Sequence, residues 1–176
     1  MPGVRGGMAV DGLSIVKVDG SNVDQYVELI KALADFEALD PPDEAGRTRL
    51  IRDVTSDPPM FHAYLAMVDG VPAGYLAFYF TYSTFLARPT LFLEDIFILE
   101  KYRKRGIGRE LFRFCVREAK RRECGRMEWT ALDWNSPAHR FYEGMGARRM
   151  DWYLFRLTAD DFSKALNGGA RDASSQ

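Results

Sequence analysis

Three groups of residues have types and spacings that can do chemistry. The first is the run Arg103-Lys104-Arg105-Gly106-Ile107-Gly108, between an apolar segment and an amphipathic one. The first N–H groups of a helix have no intrahelical acceptor and carry partial positive charge. Glycines let an anion approach that backbone closely, so the run has the makings of a pyrophosphate site. It is not a P-loop, because no Gly-Lys-Ser/Thr follows, and it lacks the third glycine of a dinucleotide fingerprint. Taken alone, the spacing is also that of a glycine-rich turn with surface charge; its place between strand and helix favours the anion. The second group is Glu94-Asp95 inside the apolar run from Leu91 to Leu99. Side chains alternate along a strand, so the two carboxylates are expected on opposite faces. Neither sits in a core without a partner, which leaves an ion pair or a functional role. The third is Tyr142, a core aromatic or a phenol that can donate a proton at neutral pH.

These residues need elements to hold them. Leu13 to Val18 reads as a strand. Ser21 is the expected cap of a helix carrying Val27, Leu29, Ile30, Leu33, Ala34 and Phe36 at helical spacing, fading near Pro41-Pro42. Asp35, Glu37, Asp40, Asp43 and Glu44 are either a solvated helix end or a rim that attracts a cation. Phe61 to Val68 and Val71 to Phe80 flank Asp69-Gly70 and predict a hairpin. Leu91 to Leu99 is a further strand. After the basic loop comes a helix with Ile107, Leu111, Phe112, Cys115, Val116 and Ala119 on one face. Arg126 to Trp134 reads as a strand, Pro137 to Gly146 as a short helix capped by Ser136, Ala147 to Leu157 as strand-like, and Thr158 to Leu166 as a last helical turn or two. The order predicts one α/β (α+β) domain over residues 13–166, with a mixed sheet. Residues 1–12 and 167–176 read as flexible tails, and Met8 is an alternative start.

Composition narrows the function. A chain of 176 residues with 47% hydrophobic and 28% charged residues is that of one soluble domain. A net charge of −1 argues against general polyanion binding. The basic residues from Lys101 to Arg126 are interspersed with Glu110, Glu118 and Glu123, so a solvated helix face is preferred to a nucleic-acid interface. The two cysteines, Cys115 and Cys124, give neither a disulfide framework nor zinc spacing. His62 and His139 lie far from any convincing ligand or nucleophile, so no metal is expected. No apolar run approaches a membrane span and no secretion signal opens the chain, which makes the cytoplasm the default.

Several motifs in sequence order resemble the GNAT superfamily of N-acetyltransferases. The loop from Tyr102 to Gly108 looks like its acetyl-CoA loop. Leu93-Glu94-Asp95-Ile96-Phe97-Ile98, Asp133-Trp134-Asn135, Phe141-Tyr142 and Gly146-Ala147 resemble the spermidine/spermine (diamine) acetyltransferase branch with its thialysine relatives. So do Ile30 to Glu37 and Phe78 to Thr84, and the likeness runs from about Leu13 to Leu166. The resemblance implies a GNAT-like, mostly antiparallel sheet flanked by helices, acetyl-CoA as acetyl donor, a small-molecule amine as acceptor, and a homodimer. It implies Glu94 as general base through a water and Tyr142 as the acid that protonates the thiolate. It implies cofactor contacts from Ile96, Phe97 and Ile98, from Arg103, Lys104, Arg105, Gly106, Ile107, Gly108 and Arg109, and from Asn135 and Tyr142, with the Ile98 N–H polarising the thioester. Phe36, Glu37, Ser83, Glu94 and Asp95 match amine-binding positions. Ser83 stands where polyamine-acetylating members carry aspartate and resembles the thialysine branch. A non-catalytic acyl-CoA sensor and an acetyltransferase of protein amines are the alternatives on the same fold.

Overall fold

The computed structural model describes residues 10–167. Its element order is β1 (Leu13–Lys17), α1 (Val23–Glu37), α2 (Glu44–Thr55), β2 (His62–Val68), β3 (Val71–Ser83), β4 (Arg88–Ile98), a 3₁₀ turn (Glu100–Tyr102), α3 (Ile107–Arg121), β5 (Arg126–Glu128), α4 (Ser136–Gly144) and α5 (Ala159–Leu166). One five-stranded sheet runs β1-β2-β3-β4-β5. Its first three pairings are antiparallel and β4–β5 is parallel, so the expected mixed, mostly antiparallel sheet is what forms. Two compact units divide the chain, one ending at Trp134 and holding the whole sheet, the other beginning at Asn135 and holding α4 and α5. Among the described residues no helix is long and apolar enough to cross a membrane.

In the first unit alternation sorts the strands into two faces. Tyr75, Ala77 and Phe97 pack with Tyr26 and Leu29 of α1 and Val54 of α2 on one face. The α3 helix packs on β4, burying Ile107, Leu111, Phe112, Cys115 and Ala119, so Cys115 is the core residue its spacing suggested. Tyr26 meets Tyr75 edge to face, ring centroids 5.1 Å apart, an arrangement favoured by the ring quadrupoles. At its end α1 turns left-handed at Ala38, and the Leu39 N–H closes on the Ala34 carbonyl at 2.9 Å.

Several expectations change. Asn22, not Ser21, is the N-cap of α1, because the Ser21 hydroxyl and N–H both turn to the Asp19 carboxylate, at 2.6 and 2.8 Å. The α2 helix was not anticipated. Asp43 caps it by accepting from the Gly46 N–H at 2.6 Å, but Val54 is its only buried residue, so its apolar signal is faint. The strand expected over Arg126 to Trp134 pairs only at residues 126–128, and residues 147–157 form no strand among the described residues. Asn135 rather than Ser136 caps α4, accepting from the Ala138 N–H at 3.2 Å. Residues 10–12 of the expected tail are a bonded turn: Leu13 N–H donates to Val10 and Asp69 N–H to Gly12. The rest of both expected tails lies outside the described residues, apart from Asn167, which closes α5.

Candidate active site

The site begins at an irregularity in β4. Leu76 pairs with Ile96 and Ala77 with Asp95, but Phe78 pairs with Leu93. Glu94 is therefore the extra residue of a β-bulge, and one added residue resets the alternation of side chains. That is why the expected opposition of Glu94 and Asp95 does not occur. Both line one cavity of about 540 Å³ on the face covered by α1. From β3 come Tyr75, Ala77 and Tyr79, every second residue; from α1 come Tyr26, Ile30, Leu33 and Glu37, one helix face. Asp40 adds a fourth carboxylate, and Leu50, Met60 and Phe61 add apolar wall. Among the described residues no lysine or arginine lines it.

Asp95 is the most perturbed carboxylate here. Burial, chiefly, pushes its pKa up to about 6; Glu94 beside it and Glu37 across the cavity add to the rise. The Tyr75 hydroxyl donates to its Oδ2 at 3.2 Å and opposes the shift. Tyr75 and Tyr26 are themselves held as phenols, well above the usual range, by burial first and then by the Asp95 charge. The cavity is thus a negative, partly open pocket with hydroxyl-tipped aromatic walls, in which Glu37 and Asp95 are half-buried and Glu94 and Asp40 are exposed. A cation suits it, since opposite charge is attracted to the clustered carboxylates.

Beyond this cavity β4 has an edge that no strand covers among the described residues, although its Ile98 carbonyl accepts from Arg103 Nε. Pairing with β5 ends at Phe92 and Glu128. Leu99 N–H turns toward β3, donating to the Ala73 carbonyl at 2.9 Å, so alternation directs the Ile96 and Ile98 backbone groups to the other edge. An extended amide chain can add there as a strand does. Phe97 contributes its ring to the core, not to that edge. The basic loop follows. Gly106 caps α3 with φ of 86°, a conformation that glycine adopts without strain, and Lys104 is also left-handed, with φ of 62°. The first helical bond of α3 is Glu110 N–H to Gly106, which leaves the N–H groups of Ile107, Gly108 and Arg109 without an acceptor inside the helix. A Cβ on Gly108 would meet nothing within 4 Å, so the approach is open. The Ile107 side chain is buried and only its backbone is available. Arg105 lies over the Tyr102 ring, 5.5 Å from its centroid.

Within the first unit, Arg103, Phe36 and Ser83 lie outside the cavity lining. Arg103 turns back from the loop: its Nε–H donates to the Ile98 carbonyl at 2.9 Å and its guanidinium lies 4.6 Å from the centroid of Phe36. Phe36 contacts this cation, Phe97 and Trp134, and it does not line the acidic cavity. Ser83 is not brought there either. It is buried at the end of β3, where its Oγ accepts from the Leu86 N–H at 3.3 Å and ties the hairpin turn. Asn135 and Tyr142 belong to the second unit, one at the cap of α4 and the other within it beside Phe141. Asp40 belongs to the acidic run read as a possible cation-attracting rim, whereas Tyr75, Tyr26 and Tyr79 were not foreseen. The alternation of Tyr75 and Tyr79 about Ala77 was the only trace of the two strand tyrosines in the sequence.

The family described as "Acetyltransferase (GNAT) family" matches residues 26–147. An L-ornithine N5-acetyltransferase of Arabidopsis thaliana is 43% identical over 93 residues, 52% of this chain and 41% of that protein. The match therefore spans about two fifths of that relative's length. A thialysine N-epsilon-acetyltransferase of Caenorhabditis elegans is 28% identical over 154 residues, covering 85% of this chain and 94% of the other. Among solved structures, AAC(6')-Iy in complex with a CoA-containing bisubstrate analogue superposes with a TM-score of 0.69 at 19% identity, covering 83% of this chain and 97% of that one, a likeness of fold.

Proposed function

The chain belongs to the GNAT acetyltransferase family, whose acetyl donor is acetyl-CoA, and from that premise we propose that it acetylates a primary amine of a small molecule carrying two or more ammonium groups. The acceptor class is a diamine, a polyamine, or a thialysine-like or ornithine-like amino acid. The observation that carries this reading is the cavity in which Glu37, Asp40, Glu94 and Asp95 face apolar and aromatic walls with no basic residue between them. Two cationic ends with an apolar spacer match that lining. Relatives named for L-ornithine and thialysine, both diamino acids, agree with it.

The residues also fit the donor. Open space at Gly108 and three unpaired helix N–H groups suit the diphosphate, and the uncovered β4 edge suits the amide arm. Acetyl-CoA supplies the acetyl group as a thioester. Glu37 and Asp95 hold the ammonium ends. An alkylamine with pKa near about 10.4 arrives protonated, so Glu94, through a water, takes one proton to free the nitrogen lone pair. The nitrogen attacks the thioester carbonyl and the C–S bond breaks, while the Ile98 N–H stabilises the developing oxyanion. Tyr142 protonates the departing thiolate and recovers its proton from the new amide nitrogen. The protein works as a cytoplasmic homodimer in this reading. The exposed run Trp152, Tyr153, Leu154 and Phe155 supports self-association, because such contiguous apolar surface is uncommon on monomers.

The test is a panel of diamines, polyamines, ornithine, thialysine and lysine-containing peptides, followed by thiol release from acetyl-CoA. Turnover is expected with small molecules carrying two or more ammonium groups and not with peptides. Tight acetyl-CoA binding without turnover on any amine would make the chain a sensor. Turnover confined to peptides would move the acceptor to protein amines.

A further inference from the structure

The cavity contains a buried phenol that the mechanism above leaves unused. Tyr75 is fully buried at the centre of β3, yet its hydroxyl reaches Asp95, which pairs with Ala77 two residues along and lines the same cavity. Among the described residues this is the only hydrogen bond to the Asp95 side chain, and it engages Oδ2, leaving Oδ1 for a ligand. The ring is fixed in turn, edge to face against Tyr26 and 6.1 Å from Phe97. A residue clamped on both sides with one polar atom aimed at a carboxylate holds that carboxylate in a single orientation.

We propose that Tyr75 is a positioning residue for amine capture: through its hydroxyl it holds Asp95 with one oxygen directed at the substrate ammonium. The proposal rests on the acetyltransferase reading of this cavity and deepens it. The groups facing Asp95 are Glu94 on its own strand, Tyr75 and Tyr79 from β3, Tyr26 and Glu37 from α1, and Asp40 beyond α1; none is cationic. Nothing but the Tyr75 hydroxyl, and the substrate itself, favours the ionised form. Asp95 therefore loses its charge, and its grip on an ammonium, as pH falls through about 6. Removing the hydroxyl takes away a contribution that lowers this value, so the transition must move to higher pH.

The experiment is the pH profile of kcat/KM for the best amine of the panel in wild type, Tyr75→Phe and Asp95→Asn. Wild type is expected to lose activity below about pH 6, a limb that is absent in Asp95→Asn. Tyr75→Phe should move the limb up by about one pH unit, so kcat/KM falls about tenfold at pH 5.5 and little at pH 8.5, with KM for acetyl-CoA unchanged. A limb in the same place, or a loss equal at every pH, overturns the proposal, because a merely structural role predicts that. Two measurements stand apart from turnover. Carbon NMR titration of the Asp95 carboxyl should show a higher midpoint in Tyr75→Phe than in wild type. If that variant does not fold, the ring Cζ signal of Tyr75 in wild type should titrate together with Asp95. Equal midpoints in the first case, or a flat Tyr75 signal in the second, sink the idea even if no amine is ever acetylated. Absent turnover with a shifted midpoint sinks only the acetyltransferase reading.

Discussion

A carboxylate kept above its ordinary pKa is held at the expense of stability, and Asp95 is such a group. Its value of about 6 lies roughly two units above the usual 3.8. Below pH 4 it is protonated in both folded and unfolded chains and contributes no difference. Between 4 and 6 the folded chain holds the proton while the unfolded chain has released it, so stability falls as pH rises, and the loss persists above 6. Asp95→Asn should therefore unfold at higher urea than wild type at pH 7.5, by up to about 3 kcal/mol, with the gap closing near pH 4. A variant less stable at both values would mean that the amide loses more at Tyr75 than burial of the charge costs. Tyr142 is proposed as the acid that protonates the thiolate. Tyr142→Phe should lower kcat by about 10²–10⁴ at unchanged acetyl-CoA affinity, measured by stopped turnover and calorimetry. Activity near wild type would remove the phenol from the mechanism.

At the scale of elements, the turn into α3 and the strand before it do separable work. The Cβ of a residue in the first helical turn projects toward the N-terminal end, where the diphosphate is proposed to sit. Gly108→Ala should leave the melting temperature the same or higher, because alanine suits a helix better and its Cβ meets no atom within 4 Å. Acetyl-CoA affinity should drop at least about tenfold, a loss of about 1.4 kcal/mol. Unchanged affinity would place the diphosphate elsewhere. The same elements show what could be read from residues in order. Hydrophobic period and the Asp69-Gly70 turn announced α1, β2, β3, β4 and α3, and two glycines announced the turn into α3. The bulge at Glu94 was not legible, because it is a matter of register against β3 and the residues on either side look like an unbroken strand. For the same reason Ser83, plausible from its position in the chain, turned out to tie the hairpin. The α2 helix escaped because it buries little, so its identity lies in a cap rather than in a stripe.

At the scale of the whole molecule, net charge and surface set how it meets partners. A net charge of −1 gives no long-range pull on polyanions, while four carboxylates in one cavity give a local pull on cations. Self-association through the aromatic run should appear as twice the 20.0 kDa chain mass in light scattering, and Phe155→Asp should halve it. A monomer at micromolar concentration would leave those aromatics to another role. The bulge has one further consequence, in time rather than in space. An unpaired residue interrupts the ladder between β3 and β4, so the amides around Glu94 should trade hydrogen for deuterium sooner than those around Leu91. A dication bridging Glu94 and Asp95 to Glu37 on α1 would close that soft point. Slowed exchange confined to residues 93–96 would then report occupancy of the acidic cavity before any acetyl group has moved.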